Sequence, residues 1–230
     1  MLLSVENLDV RYGSAQVLHD VSLSLEPGEL VCIVGRNGAG KTTLLKTIAG
    51  FLAPSAGRIA FHGQDLAGVA PDKVALRGLR YVFQDKRVFG ELTVRDNLEL
   101  AAFPSREPLE QAVAKLVAIH PKMGKLLDSK AKGLSGGERQ ILLIGRAMVG
   151  SPELLLIDEP TEGLAAIIIG QIINILQSMK SKLSMIVVEQ NLSTVARLAD
   201  RIYVLKEGAI HRNIVDPEVI RQPRLYENDL

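Results

Sequence analysis

A glycine-rich loop with a lysine constrains the fold of this chain more than any other feature of its sequence. Residues 35–42 read Gly-Arg-Asn-Gly-Ala-Gly-Lys-Thr, which matches the phosphate-binding pattern G-x-x-x-x-G-K-[ST]. The apolar, β-branched run at 29–34 predicts a strand, and residues 43–49 predict a helix that ends at Gly50. This order directs the positive end of a helix at a bound anion. The sequence therefore predicts a phosphate-binding loop between a strand and a helix.

Each part of this loop has its own task in holding a phosphate. Glycines let backbone N–H groups approach the phosphate because they carry no Cβ atom. The Lys41 side chain adds positive charge near the β- and γ-phosphates, and the Thr42 hydroxyl is a candidate ligand of Mg²⁺. We therefore expect ATP and Mg²⁺ as cofactors. The candidate nucleotide-binding residues of this segment are Gly35, Asn37, Gly38, Ala39, Gly40, Lys41, Thr42 and Thr43.

The composition is that of an ordinary globular protein. The chain has 230 residues, of which 47% are hydrophobic and 23% charged, with a formal net charge of +1. This charge gives no field that would attract nucleic acid. The one cysteine, Cys32, excludes a disulfide within the chain and fits a reducing compartment. We expect no signal peptide and no membrane-spanning run, so any work at a membrane must be done through partners.

Alternating strands and helices predict an α/β fold with a parallel sheet. Two segments of alternating polarity, 3–10 and 17–25, predict antiparallel strands that turn at Gly13-Ser14. A helical pattern at 167–179 separates two later strands, as parallel pairing requires. Further strands are predicted at 57–63, 79–84, 154–158, 185–188 and 202–205.

The stretch from Thr93 to about Met148 reads mainly helical and predicts a subdomain inserted into the sheet. Thr93 and Asp96 fit a capping box at its first helix, and Pro121 interrupts its middle. Asp216 fits the N-cap of a short helix in the tail. We therefore expect one domain over 1–230, divided into a RecA-like core (about 1–85 and 150–215), a helical subdomain (about 86–149) and a C-terminal tail (216–230).

Two carboxylates follow an apolar strand and are candidates for catalysis. Residues 154–157 are apolar and lead directly into Asp158 and Glu159, at the carboxyl end of a strand, where ligands bind in parallel sheets. Asp158 is placed to hold Mg²⁺, directly or through a water. Glu159 is placed to polarise the water that attacks the γ-phosphate. Alone, the pair fits a strand end in solvent equally well, but the upstream phosphate loop favours catalysis.

A serine and two glycines form a second candidate anion site at a helix start. Residues 134–140 read Leu-Ser-Gly-Gly-Glu-Arg-Gln and precede an apolar helix at 141–148. Such a helix start can bind a phosphate, yet one nucleotide does not need two such sites in one chain. Together with the phosphate loop and the strand-end carboxylates, this segment resembles the signature of the nucleotide-binding subunits of ATP-binding cassette (ABC) transporters.

This resemblance covers essentially the whole chain and implies roles for further residues. Tyr12 matches the aromatic residue that stacks on adenine, and Gln84 matches the glutamine that contacts Mg²⁺ and links to the helical subdomain. Ser135, Gly136 and Gly137 match the residues that touch the γ-phosphate bound by the opposite subunit. The implied fold is a P-loop NTPase of ABC type, with a parallel-sheet core, an antiparallel N-terminal β part and an inserted helical subdomain.

The sequence departs from the family pattern at two places, and one of them indicates a particular branch of the family. Gln190 stands where the family has a switch histidine; glutamine can donate a hydrogen bond to a γ-phosphate but does not titrate. The segment 162–165 matches the dimer-contacting loop but lacks its usual aspartate. Together with residues 86–89, 92–94 and 159–165, Gln190 is similar to the ATPases of branched-chain amino acid importers and their urea and short-amide relatives.

The resemblance implies the ATP-hydrolysing subunit of an importer for a small polar solute, with Glu159 and Gln190 as catalytic residues. Its implied partners are a second ATPase subunit, identical or homologous, transmembrane permease subunits and, indirectly, a solute-binding protein. The implied location is cytoplasmic, on the inner face of the membrane. Two alternatives stay open. A non-transport ABC ATPase would be favoured by tandem cassettes or a long coiled coil, and the sequence has neither. A regulatory subunit with little turnover stays open because of Gln190 and the altered loop after Pro160.

Overall fold

Two β-sheets organise the chain in the computed structural model, which describes residues 1–230. The strands are β1 (Leu3–Tyr12), β2 (Ala15–Leu25), β3 (Leu30–Val34), β4 (Ala56–Phe61), β5 (Gln64–Asp65), β6 (Leu79–Val82), β7 (Leu154–Asp158), β8 (Ser184–Val188), β9 (Arg201–Lys206) and β10 (Ala209–Ile214). A four-stranded antiparallel sheet has the order β2-β1-β4-β5. A six-stranded sheet has the order β10-β9-β3-β8-β7-β6.

The six-stranded sheet is parallel except at one edge. Strands β9, β3, β8, β7 and β6 pair in parallel, whereas β10 pairs antiparallel with β9. The predicted fold class, a parallel core with an antiparallel N-terminal β part, is confirmed. Strand β10 was not predicted, because only one of its six side chains is buried and the strand therefore has no apolar pattern. The predicted strand at 57–63 joins the antiparallel sheet as β4.

Eight helices accompany the sheets, and four of them (α3, α5, α7 and α8) begin at a side-chain cap. They are α1 (Lys41–Ile48), α2 (Pro71–Leu76), α3 (Val94–Ala102), α4 (Leu109–Ile119), α5 (Gly136–Ala147), α6 (Ala166–Met179), α7 (Leu192–Leu198) and α8 (Pro217–Ile220). The capping box at α3 is confirmed, since Thr93 Oγ1 accepts from the Asp96 N–H at 3.0 Å and Asp96 Oδ2 accepts from the Thr93 N–H at 2.9 Å. Asp216 caps α8, as predicted.

Helices α3, α4 and α5 pack on one another between β6 and β7 in the chain. Gly145 of α5 lies so close to Leu116 of α4 that a Cβ atom at this glycine would be 2.5 Å from Leu116 Cδ1. A larger residue would therefore push these helices apart. No helix of the chain has the length and apolar character that crossing a bilayer requires.

Two apolar cores lie on opposite faces of the six-stranded sheet. Leu30, Cys32 and Val34 of β3 face the core that the sheet shares with the helical segment. Val31 and Ile33 face the core between the two sheets, which also contains α1. This double burial explains why β3 is apolar at every position rather than alternating.

Candidate nucleotide site

The candidate site lies at the carboxyl ends of four neighbouring strands of the parallel sheet. Strand β3 leads into the phosphate loop, β6 into Gln84, β7 into Asp158 and Glu159, and β8 into Gln190. Because the parallel strands run in one direction, these ends meet at one edge of the sheet. Side chains as far apart as Asn37 and Gln190, 153 residues along the chain, are hydrogen-bonded there.

The phosphate loop wraps around the ammonium group of Lys41. Gly38 and Gly40 have φ angles of +82° and +102°, a region that glycine adopts without steric cost. Lys41 Nζ donates to the backbone oxygens of Gly35, at 2.8 Å, and Arg36, at 3.0 Å. Burial lowers the pKa of Lys41, and the nearby Glu159 carboxylate opposes that shift. The loop thus holds a positive charge at its centre.

The other predicted residues of the loop differ in exposure. Asn37 and Gly38 are exposed, whereas Ala39 and Thr43 are buried. The Ala39 N–H donates to the Arg36 oxygen at 3.1 Å, which closes a turn inside the loop. Gly35 packs against β9, where a Cβ atom would be 2.2 Å from the Leu205 oxygen. Any side chain at this glycine would displace the loop from the sheet.

Asp158 has a buried oxygen with no hydrogen-bond partner. The Tyr81 hydroxyl donates to Asp158 Oδ2 at 3.0 Å, while Oδ1 is buried and unpartnered. Burial raises the pKa of Asp158, and the nearby hydroxyl groups of Thr42 and Tyr81 oppose that shift. A buried, unpartnered carboxylate oxygen near a threonine hydroxyl offers two of the oxygen ligands that a hard cation prefers.

Thr42, Gln84 and Asp158 line one pocket of about 310 Å³ together with Tyr81 and Glu162. The pocket therefore brings together the three residues predicted to contact Mg²⁺. Their hydroxyl, amide and carboxylate oxygens fit this ion. When bound, Mg²⁺ would neutralise charge on the nucleotide phosphates.

Both carboxylate oxygens of Glu159 are engaged by neighbouring side chains. Gln190 Nε2 donates to Glu159 Oε1 at 2.6 Å, and Gln84 Nε2 donates to Oε2 at 3.0 Å. Lys41 Nζ lies 3.8 Å from Glu159 Oε1. The backbone of Glu159 has a φ of +46°, a conformation that costs a non-glycine residue about 1 kcal/mol or more and is common at functional sites. The two predicted catalytic residues therefore contact each other.

Gln190 joins the end of β8 to the phosphate loop. Its Nε2 atom donates both to Asn37 Oδ1, at 2.7 Å, and to Glu159. The two hydrogens of one amide group thus link the loop that would hold the phosphates to the candidate catalytic carboxylate. Because glutamine does not titrate, this link is independent of pH near neutrality.

Tyr12 and the 134–140 segment lie apart from this cluster. Tyr12 ends β1, is 47% exposed, and its hydroxyl makes no hydrogen bond. Ser135 caps α5, accepting from the Glu138 N–H at 3.3 Å. Gly136 is exposed, while Gly137 is buried against Ile168 of α6. No hydrogen bond or ion pair within the chain joins Ser135, Gly136 or Gly137 to the phosphate loop.

Glu189 was not predicted from the sequence, and it connects the loop after β7 to the segment after β8. This buried carboxylate accepts from the N–H and hydroxyl of Thr161, at 3.1 and 2.6 Å, and from the N–H of Gln190 at 3.1 Å. Burial raises its pKa, and these hydrogen bonds oppose the shift. Glu189 directly follows an apolar strand, as the Asp158-Glu159 pair does, and the same pattern could therefore have predicted it.

Comparison with known proteins decides the family. The sequence profile described as "ABC transporter" matches residues 18–162 of the chain. This chain belongs to the ABC transporter family. The cassette is 36% identical to the high-affinity branched-chain amino acid transport ATP-binding protein BraG of Pseudomonas aeruginosa, over 98% of both chains. It is 30% identical to the probable branched-chain amino acid transport ATP-binding protein LivF of Archaeoglobus fulgidus, over 97% of this chain and 96% of that one.

A solved structure agrees with these relatives. The cassette superposes on the ADP conformation of MJ1267, an ATP-binding cassette of an ABC transporter, with a TM-score of 0.86 and 30% identity. The alignment covers 98% of this chain and 97% of that one. The predicted family is therefore confirmed, and the cassette is an ATPase that binds adenine nucleotide.

Proposed function

We propose that this cassette powers the import of a small polar solute, either branched-chain amino acids or urea and short amides. The names of its relatives support the first class, and Gln190 with the segment 159–165 is similar to the ATPases of both. ATP hydrolysis is supported by one observation above all: Lys41, Gln84 and Gln190 all contact or lie near the Glu159 carboxylate.

The proposed chemistry divides the work among these residues. The phosphate loop and Lys41 hold the β- and γ-phosphates of ATP, and Tyr12 stacks on adenine. Thr42, Gln84 and Asp158 hold Mg²⁺, which the unpartnered oxygen of Asp158 supports. Glu159 polarises the attacking water and accepts its proton, because each carboxylate oxygen takes only one amide hydrogen bond and keeps a second acceptor site. Gln190 would donate to the γ-phosphate by exchanging its hydrogen bond to Asn37 for one to the nucleotide.

The proposed assembly contains a second cassette. Ser135 and Gly136 are exposed at the start of α5 and unconnected to the phosphate loop of their own chain. This supports a dimer in which they, with Gly137, contact the γ-phosphate held by the partner subunit. Two ATP molecules would then lie between two cassettes, identical or homologous.

Membrane subunits complete the proposal. A groove of about 460 Å³ between β6 and α5 is lined by residues that include Phe83, Arg87 and Leu143. The exposed rings of Phe51 and Phe83 pack edge to face, with centroids 5.2 Å apart, near this groove. Exposed aromatic clusters mark interaction sites, which supports docking of a permease on the cytoplasmic face of the membrane. A solute-binding protein would act on the other side.

The proposed movement within the cassette is that of the helical subdomain relative to the sheet on which it packs. The helical subdomain (86–149) would move against the core (1–85 and 150–215), with the tail (216–230) fixed to the core. The close packing of α4 on α5 supports movement of the helical subdomain as a unit.

Reconstitution of the complex tests the proposed solute. The cassette and its native membrane partners would be purified, placed in liposomes, and assayed for ATP-dependent uptake of radiolabelled leucine, urea and acetamide. We expect uptake of one of these classes, with sulfate and xylose as controls that do not enter. A complex with Glu159→Gln should take up nothing. Uptake of none of the three solutes by an otherwise active ATPase would contradict the proposal.

A further inference from the structure

Glu162 shares the side-chain amide of Gln84 with Glu159. Gln84 Nε2 donates to Glu162 Oε2 at 2.9 Å and to Glu159 Oε2 at 3.0 Å. Both hydrogens of the amide are therefore used. Ionised carboxylates only accept hydrogen bonds, so two of them on the same side of the amide leave one possible orientation. The nitrogen faces the carboxylates, and the oxygen faces away.

The amide oxygen is left free by this arrangement. Gln84 Oε1 makes no hydrogen bond in the protein, and Gln84 lines the pocket that also contains Thr42 and Asp158. An amide oxygen is a suitable ligand for Mg²⁺, whereas the amide nitrogen is not. The orientation of this one group therefore decides whether Gln84 can contribute to the cation site.

The position of Glu162 is itself fixed by the segment that carries Gln84. Lys86 Nζ donates to the backbone oxygen of Glu162. Burial lowers the pKa of Lys86, and the charge of Glu162 opposes that shift. Glu162 thus adds two links between the segment after β6 and the segment after β7, through its backbone oxygen and its carboxylate, to the link that Glu159 makes with Gln84.

We propose that Glu162 is a positioning residue that holds the Gln84 amide with its oxygen directed to the cation site. Without Glu162, one amide hydrogen loses its acceptor, and the single hydrogen bond to Glu159 holds the amide less firmly in this orientation. The proposal rests on the proposed role of Gln84 as a cation ligand. Glu162 itself does not touch the reacting atoms in this role.

The first test reads the amide directly. Side-chain NH₂ signals of Gln84 would be followed by ¹⁵N–¹H NMR of the full chain, assigned through their loss in Gln84→Met. In Glu162→Ala we expect these signals to shift and broaden. Glu162→Gln should preserve them, because its amide oxygen can still accept. Glu99→Ala is the matched control, since Glu99 is exposed and its side chain makes no hydrogen bond. Unchanged Gln84 signals in Glu162→Ala would overturn the proposal.

The second test reads the cation site without turnover. Mn²⁺ binding to the ADP-loaded chain would be measured by electron paramagnetic resonance. Loss of one half-exposed hydrogen bond predicts affinity lower by about 2–5-fold in Glu162→Ala, with no change in Glu162→Gln or Glu99→Ala. If Glu162→Gln lowers Mn²⁺ affinity as much as Glu162→Ala does, Glu162 acts through its negative charge and the positioning role is wrong. If Gln84→Met leaves Mn²⁺ affinity unchanged, the proposed ligand role of Gln84 fails, and the NMR result alone then decides whether Glu162 orients the amide.

Discussion

At the scale of single residues, the site is a set of side chains that restrain one carboxylate. The sequence predicted Glu159, Lys41, Gln84 and Gln190 separately, each from its own motif. It could not predict that both oxygens of Glu159 would be occupied, at 2.6 and 3.0 Å. Such distances depend on how four strand ends are aligned at one edge of the sheet, and the alignment is a property of the whole fold.

Glu159→Gln should nearly abolish ATP hydrolysis while preserving nucleotide binding. The amide keeps the shape of the carboxylate but cannot accept a proton from water, and loss of such a group commonly lowers turnover about 10²–10⁴-fold. ATPase rate would be measured in the assembled complex, and ADP binding by calorimetry. Near-normal turnover would mean that the catalytic base lies elsewhere.

Gln190→Ala should slow hydrolysis by about 10²–10³-fold if its amide donates to the γ-phosphate, since that is the usual effect of removing one preorganised donor. Gln190→His should stay active and gain a pH dependence near the histidine pKa, about 6.5 when unperturbed. ATPase rates of the wild-type, Gln190→Ala and Gln190→His complexes, measured from about pH 5.5 to 8.5 around the histidine pKa, check both expectations. A normal rate for Gln190→Ala would assign this side chain to a surface role.

At the scale of helices and strands, the sequence was most informative where burial was continuous. Strands β3, β7 and β8 are buried at all positions, and their apolar runs were predicted to within a residue or two. The six-residue helix α2 and the edge strand β10 were missed, because both are largely exposed. Their positions are set by neighbouring elements rather than by a pattern of their own.

Glu138 should stabilise α5 at neutral pH and lose this effect as the solution becomes acidic. A hydrogen bond from Lys122, followed by those with Ser135, lowers the pKa of Glu138 from 4.5 to about 2. A lowered pKa adds stability above the unfolded value of 4.5, and this stability is lost as pH falls toward 2. Glu138→Gln should therefore cost about 1 kcal/mol of unfolding free energy at pH 7. In urea unfolding from pH 7 to pH 2, the difference from wild type should shrink to zero; a constant difference would contradict the assignment.

Glu107 should hold the helical segment to the core. Its carboxylate, with 8% side-chain exposure, pairs with Lys115 at 2.7 Å and accepts from the Gly150 N–H at 2.6 Å. Glu107→Ala leaves the Gly150 N–H without its acceptor and removes the ion pair of Lys115, which keeps hydrogen bonds to Met148 and Ser151. The substitution should lower the unfolding free energy by about 2 kcal/mol, less than the loss of a fully buried pair because Lys115 is partly exposed.

Glu110→Ala is the matched control for this prediction. Glu110 pairs with Arg95 at 3.0 Å but is 80% exposed, so its loss should cost less than about 1 kcal/mol. Thermal and urea unfolding would measure both variants. Equal effects of the two substitutions would show that Glu107 is no more than a surface charge.

At the scale of the whole molecule, the proposed dimer uses two separate surfaces of one chain, the phosphate loop and the start of α5. Ser135→Arg should block hydrolysis and leave ATP binding to the isolated chain nearly unchanged, because Ser135 makes no contact with its own phosphate loop. In a mixed dimer of one mutant and one wild-type cassette, the site that uses the wild-type Lys41 should fail. Photo-crosslinking of nucleotide combined with single-site ATPase assays would locate the defect. Loss confined to the mutant's own phosphate loop would contradict the dimer.

The burial of β3 on both faces links nucleotide binding to the fraction of molecules that is folded. Because β3 contributes to both cores, the phosphate loop that follows it cannot form in a chain that has lost either one. A nucleotide that binds only the folded chain then stabilises all of it by mass action, by about 2.7 kcal/mol when its concentration is 100 times its dissociation constant. Removal of bound nucleotide should therefore make the whole chain, and not only the phosphate loop, more open to unfolding and proteolysis.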